Sequence, residues 1–128
     1  MPARSMTPAD RDAVGAIQQL SPSASQWDPL EYSTTVWEEE GRVVAFLTVR
    51  QVAPDEREIL NLAVHPAFRR RGIARRLVAA QPPSVWFLEV RESNQPARKF
   101  YNSLGFQEIT RRKQYYADPT EDAIVMRR

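Results

Sequence analysis

Residues 58–81 read EILNLAVHPAFRRRGIARRLVAAQ, and the change of period inside this stretch decides the fold. Glu58 to Val64 is an apolar-rich run of strand length. From Arg69 to Gln81 the spacing turns helical, with Ile73, Leu77 and Ala80 on one face and Arg75 and Arg76 pointing away. His65–Phe68 make the short connection, and Pro82-Pro83 stop the helix because proline has no N–H to continue it. The junction itself, Arg69 to Ala74, is an Arg/Gly turn. Successive N–H groups in such a turn, together with the partial positive charge of a helix start, attract anions, and Gly72 removes the Cβ that would keep an anion away. On its own, one glycine among arginines fits a solvated basic helix start equally well.

Upstream, Thr7 to Leu20 predicts an amphipathic helix, with Thr7 as a possible cap, Pro8 and Asp10 in the first turn, and Ala13, Val14, Ile17 and Leu20 at helical spacing. A Ser/Pro loop follows over Ser21 to Pro29, then a short helical turn over Asp28 to Tyr32. Gly41 in EEEGR separates Thr34–Glu39 from Val43–Val49 as a hairpin turn would, and Ala53-Pro54-Asp55-Glu56 turns the chain into Glu58–Val64. These three strands are expected to form an antiparallel meander. Downstream, Ser84 to Val90 (SVWFLEV) is nearly all apolar, the signature of a strand covered on both faces, which makes Glu89 conspicuous. Ser93 or Asn94 caps a helix carrying Pro96, Ala97, Phe100, Tyr101 and Leu104, and Gly105 ends it. Phe106–Tyr116 and Ala123–Met126 read as the last two strands, joined through Ala117-Asp118-Pro119-Thr120.

Composition narrows the chemistry. A chain of 128 residues suits one domain spanning 1–128, and no stretch approaches the run of about 18 apolar residues that a membrane span needs. The first residues, MPARSMTPADRDAV, lack the apolar core of a secretory signal, so the expected setting is cytoplasmic. There is no cysteine and only His65 as an imidazole, which argues against a thiol nucleophile, a Ser-His-Asp triad or a metal centre. The formal net charge is only +2, yet sixteen of the eighteen basic residues are arginine, whose planar fork suits phosphate. GC-rich coding explains that bias equally well.

The spacing Val64-x-Pro66-x-x-Arg69-Arg70-x-Gly72-x-Ala74 resembles the pyrophosphate signature R/Q-x-x-G-x-G/A of the GNAT superfamily of acyltransferases, in its usual place after a buried strand. A second block, FLEVRESNQPARKFYNSLGFQEITRRKQYYADPTEDAIVM from Phe87 to Met126, is similar to the bacterial ribosomal-protein-alanine N-acetyltransferases. The resemblance implies an α/β (α+β) fold: a single GNAT-like domain with a mixed, mostly antiparallel sheet, splayed central strands and flanking helices. It implies acetyl-CoA as the acyl donor. Main-chain groups of Leu62, Ala63 and Val64 would pair with the pantetheine arm, and Arg69, Arg70, Arg71, Gly72, Ile73, Ala74 and Arg75 would hold the pyrophosphate. Asn94 matches a position that contacts the acyl-CoA, although a plain helix cap accounts for it too. An N–H near Val64 would face the thioester oxygen.

Acetyl transfer needs a neutral amine, a stabilised oxyanion and a proton for the departing thiolate. The family match makes Glu89 the general base, directly or through water, and a carboxylate on an apolar strand is a place for a raised pKa; a strand-end salt bridge is the alternative. The same match makes Tyr101 the acid, although core packing also explains it. With no cysteine to carry an acyl group, direct attack in a ternary complex is favoured. An α-amine of pKa ~8 is about a quarter unprotonated at pH ~7.5, against about 0.1% for lysine, so the N-terminal amine of a protein or peptide is the favoured acceptor, and the resemblance points to a ribosomal protein as a candidate. In the family the acceptor groove is built from segments that match Leu20–Tyr32 and roughly Tyr115–Ala123, with Tyr115 and Tyr116 as groove candidates.

The chain departs from the family in two places. Between Gly72 and Glu89 it is shorter by about two helical turns, which suggests lower stability or help from a partner subunit, as a monomer or a homodimer; and SPSASQWDPLEYS matches the acceptor region only loosely. Acetylation of a small-molecule amine, or an acyl-CoA sensor without catalysis, are the competing readings. A nucleic-acid partner through Arg69-Arg70-Arg71, Arg75-Arg76 and Arg111-Arg112 is disfavoured because no aromatic residues interleave those arginines.

Overall fold

The computed structural model describes residues 2–21 and 32–128, which fall into two compact units, Met1–Arg50 with Ile59–Pro83 and Gln51–Glu58 with Ser84–Arg128. Among the described residues the elements are β1 (Ala3–Ser5), α1 (Arg11–Gln19), β2 (Ser33–Glu39), β3 (Arg42–Ala53), β4 (Glu56–Val64), α2 (Ile73–Ala79), β5 (Val85–Arg91), α3 (Gln95–Ser103), β6 (Gln107–Tyr116) and β7 (Glu121–Arg127). No helix among them is long and apolar enough to cross a membrane.

The first unit carries strands in the order β1-β2-β3-β4. The β2–β3 turn has Glu39 opposite Arg42, and both residues between them are left-handed, Glu40 at φ 52° and Gly41 at φ 77°. That is the backbone a two-residue hairpin of primed type requires, and Gly41 is the signal for it in the sequence. Val44 to Val49 on β3 are all buried, so this strand is covered on both faces. The one hydroxyl in that run, Thr48, meets Thr34 directly opposite on β2 at 3.0 Å, and so each buried oxygen has a partner. Val14 and Ile17 of α1 pack with Val36, Phe46 and Ala63. Full burial of a side chain the size of Phe46 contributes about 2–3 kcal/mol.

Three sequence expectations change in this unit. The first helix begins as a 3-10 turn over Pro8–Asp10, and Leu20, expected on its apolar face, is 48% exposed just past its end. The second helix starts at Ile73, not Arg69; Val78 joins Ile73 and Leu77 in the core while Ala80, one residue beyond the helix, is exposed. β1, which the sequence reading omits, pairs antiparallel with β2. Its Arg4 forks onto both oxygens of Asp10 at 2.7 and 2.9 Å and also donates to Glu38 at 2.7 Å. Asp10 in turn accepts from the Thr7 N–H at 2.9 Å, and the Arg4 hydrogen bonds first, then Thr7, hold its carboxyl well below the usual range. The loop expected over Ser21–Pro29 and the turn over Asp28–Tyr32 fall mainly on residues 22–31, outside those described.

In the second unit β7 runs antiparallel to both neighbours, giving β5-β7-β6. Ser84 Oγ and the Val85 N–H both donate to the Asp55 carbonyl, at 2.8 and 2.9 Å, which fixes the start of β5. β5 is not covered on both faces, as its apolar run suggests: Trp86, Leu88 and Val90 are buried, while Val85, Phe87, Glu89 and Arg91 alternate with them on a half-buried face. Glu89 therefore faces partly outward. On α3, Asn94 rather than Ser93 is the cap, its side chain accepting from the Ala97 N–H at 3.3 Å, and Gly105 at φ 95° ends the helix.

Candidate active site

The first unit carries the residues expected to hold the donor, Asn94 excepted. Leu62, Ala63 and Val64 are the last residues of β4, and the Arg/Gly turn follows a 3-10 turn over Pro66–Phe68 that His65 caps, its Nδ1 accepting from the Ala67 N–H at 3.1 Å. Arg70 at φ 64° and Gly72 at φ 76° are both left-handed. Left-handed residues within a turn swing neighbouring N–H groups toward one side, the nest geometry that takes anions. The first intrahelical bond runs from the Arg76 N–H to the Gly72 carbonyl at 3.1 Å, so the amides of Ile73 and Ala74 point out of the helix start. A Cβ placed on Gly72 would meet nothing within 4 Å, so the space over this backbone is open to a ligand. The turn thus fits a pyrophosphate.

The arginine side chains of the turn differ in their engagements. Arg71 lies over the Phe68 ring at 4.8 Å, and Arg69 Nε donates to the Val64 carbonyl at 3.1 Å. That carbonyl is one of the groups expected to pair with the pantetheine arm. The His65 N–H is bonded to the Val44 carbonyl at 2.7 Å, so the oxyanion donor expected near Val64 is not this amide.

The second unit carries Glu89, Asn94 and Tyr101. Glu89 sits opposite Val125 of β7, which sits opposite Thr110 of β6. Arg91, Ala123 and Arg112 form the next such row, and residues two apart on a strand share a face, so Glu89, Arg91 and Arg112 project to the same side. Arg112 Nε reaches Glu89 Oε1 at 3.1 Å; the Glu89 side chain is 14% exposed and that of Arg112 58%. Tyr115 also hydrogen-bonds to Glu89. Three positions after Arg112, it would lie on the opposite face of a regular strand. A bulge between Arg112 and Tyr116, where four steps on β6 face two on β7 and Gln114 is left-handed at φ 52°, returns Tyr115 to the Glu89 side.

Burial first, then the Glu89 carboxylate, pushes the Tyr115 hydroxyl up from its ordinary value and that of Tyr116 to about 12. The two rings meet edge to face at 5.1 Å, with Arg112 over Tyr115 at 5.4 Å and Arg91 over Tyr116 at 4.4 Å. Arg91 also donates to the carbonyls of Pro119 and Ala117 at 3.1 and 3.2 Å and pairs with Glu121 at 3.3 Å. Glu121 accepts from the Ser93 N–H at 2.6 Å, so the turn after Tyr116 is tied to the end of β5.

Tyr101 is buried on the inner face of α3, edge-on to Phe100 at 5.2 Å and to Phe106 at 5.5 Å. Burial pushes its hydroxyl far above the ordinary phenol value, so it holds its proton through neutral pH and well into the alkaline range. The structure therefore gathers Glu89 with Tyr115 and Tyr116, two of the expected groove residues, and gives Asn94 the capping bond. It adds Arg112 and Arg91, which sequence reasoning missed. Arg91 could have been found as the residue two after Glu89 on one strand face; Arg112 could not, because its place depends on the β6–β7 register.

Residues 6–106 match the acetyltransferase (GNAT) family. The chain belongs to that family. It is an acetyl-CoA-dependent N-acetyltransferase. The ribosomal protein bS18-alanine N-acetyltransferase of Haemophilus ducreyi is 39% identical over 106 residues, 75% of this chain and 72% of that one. The E. coli ribosomal-protein-S18-alanine N-acetyltransferase structure superposes with a TM-score of 0.75 at 30% identity, covering 98% of this chain and 90% of that one. Ard1 from Thermoplasma volcanium gives 0.86 at 29% identity, covering 98% and 95%. The GNAT-like α/β fold expected from the sequence is thereby established. The family match takes in the Arg/Gly turn, Glu89, Asn94 and Tyr101, and stops before Arg112, Tyr115 and Tyr116.

Proposed function

We propose that this GNAT enzyme acetylates the N-terminal α-amine of a protein or peptide, with an alanine-first ribosomal protein terminus as the first acceptor to try and the cytoplasm as its setting. The observation that supports it best is Glu89: a carboxylate on a half-buried strand face, flanked by two tyrosines and supported by a turn pinned through Arg91. Such a face offers an α-ammonium one carboxylate and two apolar ring surfaces. The bS18-alanine enzymes supply the alanine by similarity.

In this reading the amides of Arg70 to Arg75 hold the donor's pyrophosphate, the β4 backbone at Leu62, Ala63 and Val64 aligns its pantetheine arm, and Asn94 contacts the acyl-CoA. Glu89 takes a proton from the α-ammonium, directly or through one water, and leaves a neutral amine. The amine nitrogen attacks the thioester carbonyl; a C–N bond forms and the C–S bond breaks. Tyr101 gives its proton to the departing thiolate sulfur, the second proton that the nitrogen loses as the amide forms restores the phenol through water, and Glu89 releases its own proton to solvent. General acid–base groups of this kind contribute roughly 10²–10⁴ in rate.

The test is release of free coenzyme A from acetyl-CoA against three acceptor panels: alanine-first peptides, peptides whose only amine is a lysine side chain, and small primary amines. The reading requires the first panel to lead. Binding of acetyl-CoA without release on any panel would replace it with a sensor role.

A further inference from the structure

We propose that Arg112 is a placeholder for the acceptor's ammonium group, held on Glu89 until an amine displaces it. This rests on the assignment of Glu89 as the acceptor-side base. The geometry is that of a replaceable cation. Arg112 Nε lies 3.1 Å from Glu89 Oε1, longer than the roughly 2.8 Å of a close ammonium–carboxylate bond, and it approaches from the solvent side, since Arg112 is 58% exposed and Glu89 only 14%.

The groups around this carboxylate are asymmetric. Tyr115 donates to it from beyond the bulge, and Tyr116 lies close enough for Glu89 to act on its hydroxyl. Arg91, the other cation on this face, is engaged by Glu121, Ala117 and Pro119. Glu58 acts on Tyr115 from β4. Arg112 pairs with Glu89 and has a long, solvated stem that can swing away. Its guanidinium lies over Tyr115, which gives it a ring to rest on after displacement.

A half-exposed ion pair is weak, so the placeholder keeps the carboxylate satisfied without closing the site. The consequence is kinetic. Every acceptor competes with Arg112, and removing the guanidinium relieves that competition. The alternative role, Arg112 orienting Glu89 for the acceptor, gives the opposite sign.

The experiment uses the full chain, acetyl-CoA, an alanine-first hexapeptide and the same peptide already acetylated at its N-terminus. Steady-state kinetics are compared for wild type, Arg112→Gln and Arg112→Lys. The expected result for Arg112→Gln is a two- to fivefold fall in KM for the free peptide with KM for acetyl-CoA unmoved, and an intermediate value for Arg112→Lys. Inhibition by the acetylated peptide, which has no ammonium to offer, stays as in wild type. An unchanged or raised peptide KM in Arg112→Gln overturns the placeholder role, as does an equal gain for the acetylated peptide. A wild-type enzyme that turns over no peptide overturns the acyl-transfer reading and this one with it, an outcome distinct from the other two.

Discussion

Replacing Gly72 and Gly41 by alanine in separate variants distinguishes backbone strain from donor binding. Both glycines are left-handed, at φ 76° and 77°, and a Cβ at either meets nothing within 4 Å. The direct penalty of each alanine is therefore conformational. Holding an L-residue in this region costs about 1–2 kcal/mol, and the stiffer unfolded chain offsets about 0.4–1 of that. The net loss is about 1 kcal/mol for each, which for a chain of this length lowers the thermal midpoint by about 4 °C. The two variants should melt alike. They should differ in donor affinity: at Gly72 the methyl group stands where the pyrophosphate would approach the backbone, and Gly41 is in a hairpin turn. Isothermal titration with acetyl-CoA should show roughly tenfold weaker binding for Gly72→Ala, about 1.4 kcal/mol, and wild-type binding for Gly41→Ala. Equal donor affinities in the two variants would refute the assignment of the Arg69–Arg75 turn.

Glu89→Gln should reduce acetyl transfer to an alanine-first peptide by about 100-fold at neutral pH and by less in alkaline buffer, where the amine is already free; an unchanged pH–rate profile would remove Glu89 from the base role. Tyr101→Phe keeps the ring contacts with Phe100 and Phe106, so the variant should melt as wild type while kcat falls with little change in either KM. Stability should fall as pH rises from the ordinary phenol value near 10 toward about 12, because Tyr101 and Tyr116 keep their protons in the fold and lose them more easily in the unfolded chain; Tyr116→Phe should flatten part of that fall in alkaline thermal melts. Asp10→Asn should melt lower than wild type at neutral pH, and the gap should close as pH drops through the carboxylate range, since the Arg4 and Thr7 bonds favour only the ionised form.

Much of the local structure was legible because single residues announce it. Gly41, Gly72 and Gly105 all sit at left-handed positions where the sequence marks a turn, a helix start or a helix stop, and Val14, Ile17, Ile73 and Leu77 are buried as their spacing demands. What escaped depends on partners distant in sequence. β1 has three residues and no periodicity, and is fixed by pairing with β2 and by the Arg4–Asp10 fork. The both-faces burial expected of β5 failed because apolar content does not tell a covered face from a half-covered one. The candidate site divides the same way. Glu89, Asn94, Tyr101 and the Arg/Gly turn could be named from the family resemblance, whereas the Glu89–Arg112 pair needs β7 inserted between β5 and β6, and the Tyr115 contact needs the bulge beyond Arg112.

The central claim is that a carboxylate on β5 activates an N-terminal amine for acetylation, and mass spectrometry of the reaction product tests it most directly. An alanine-first peptide that also contains a lysine is incubated with acetyl-CoA and enzyme, and fragment ions locate the acetyl group. The account predicts one acetyl group, on the α-nitrogen, formed in step with free coenzyme A and nearly lost in Glu89→Gln. Acetyl on the lysine side chain in preference, or full activity in Glu89→Gln, would contradict it.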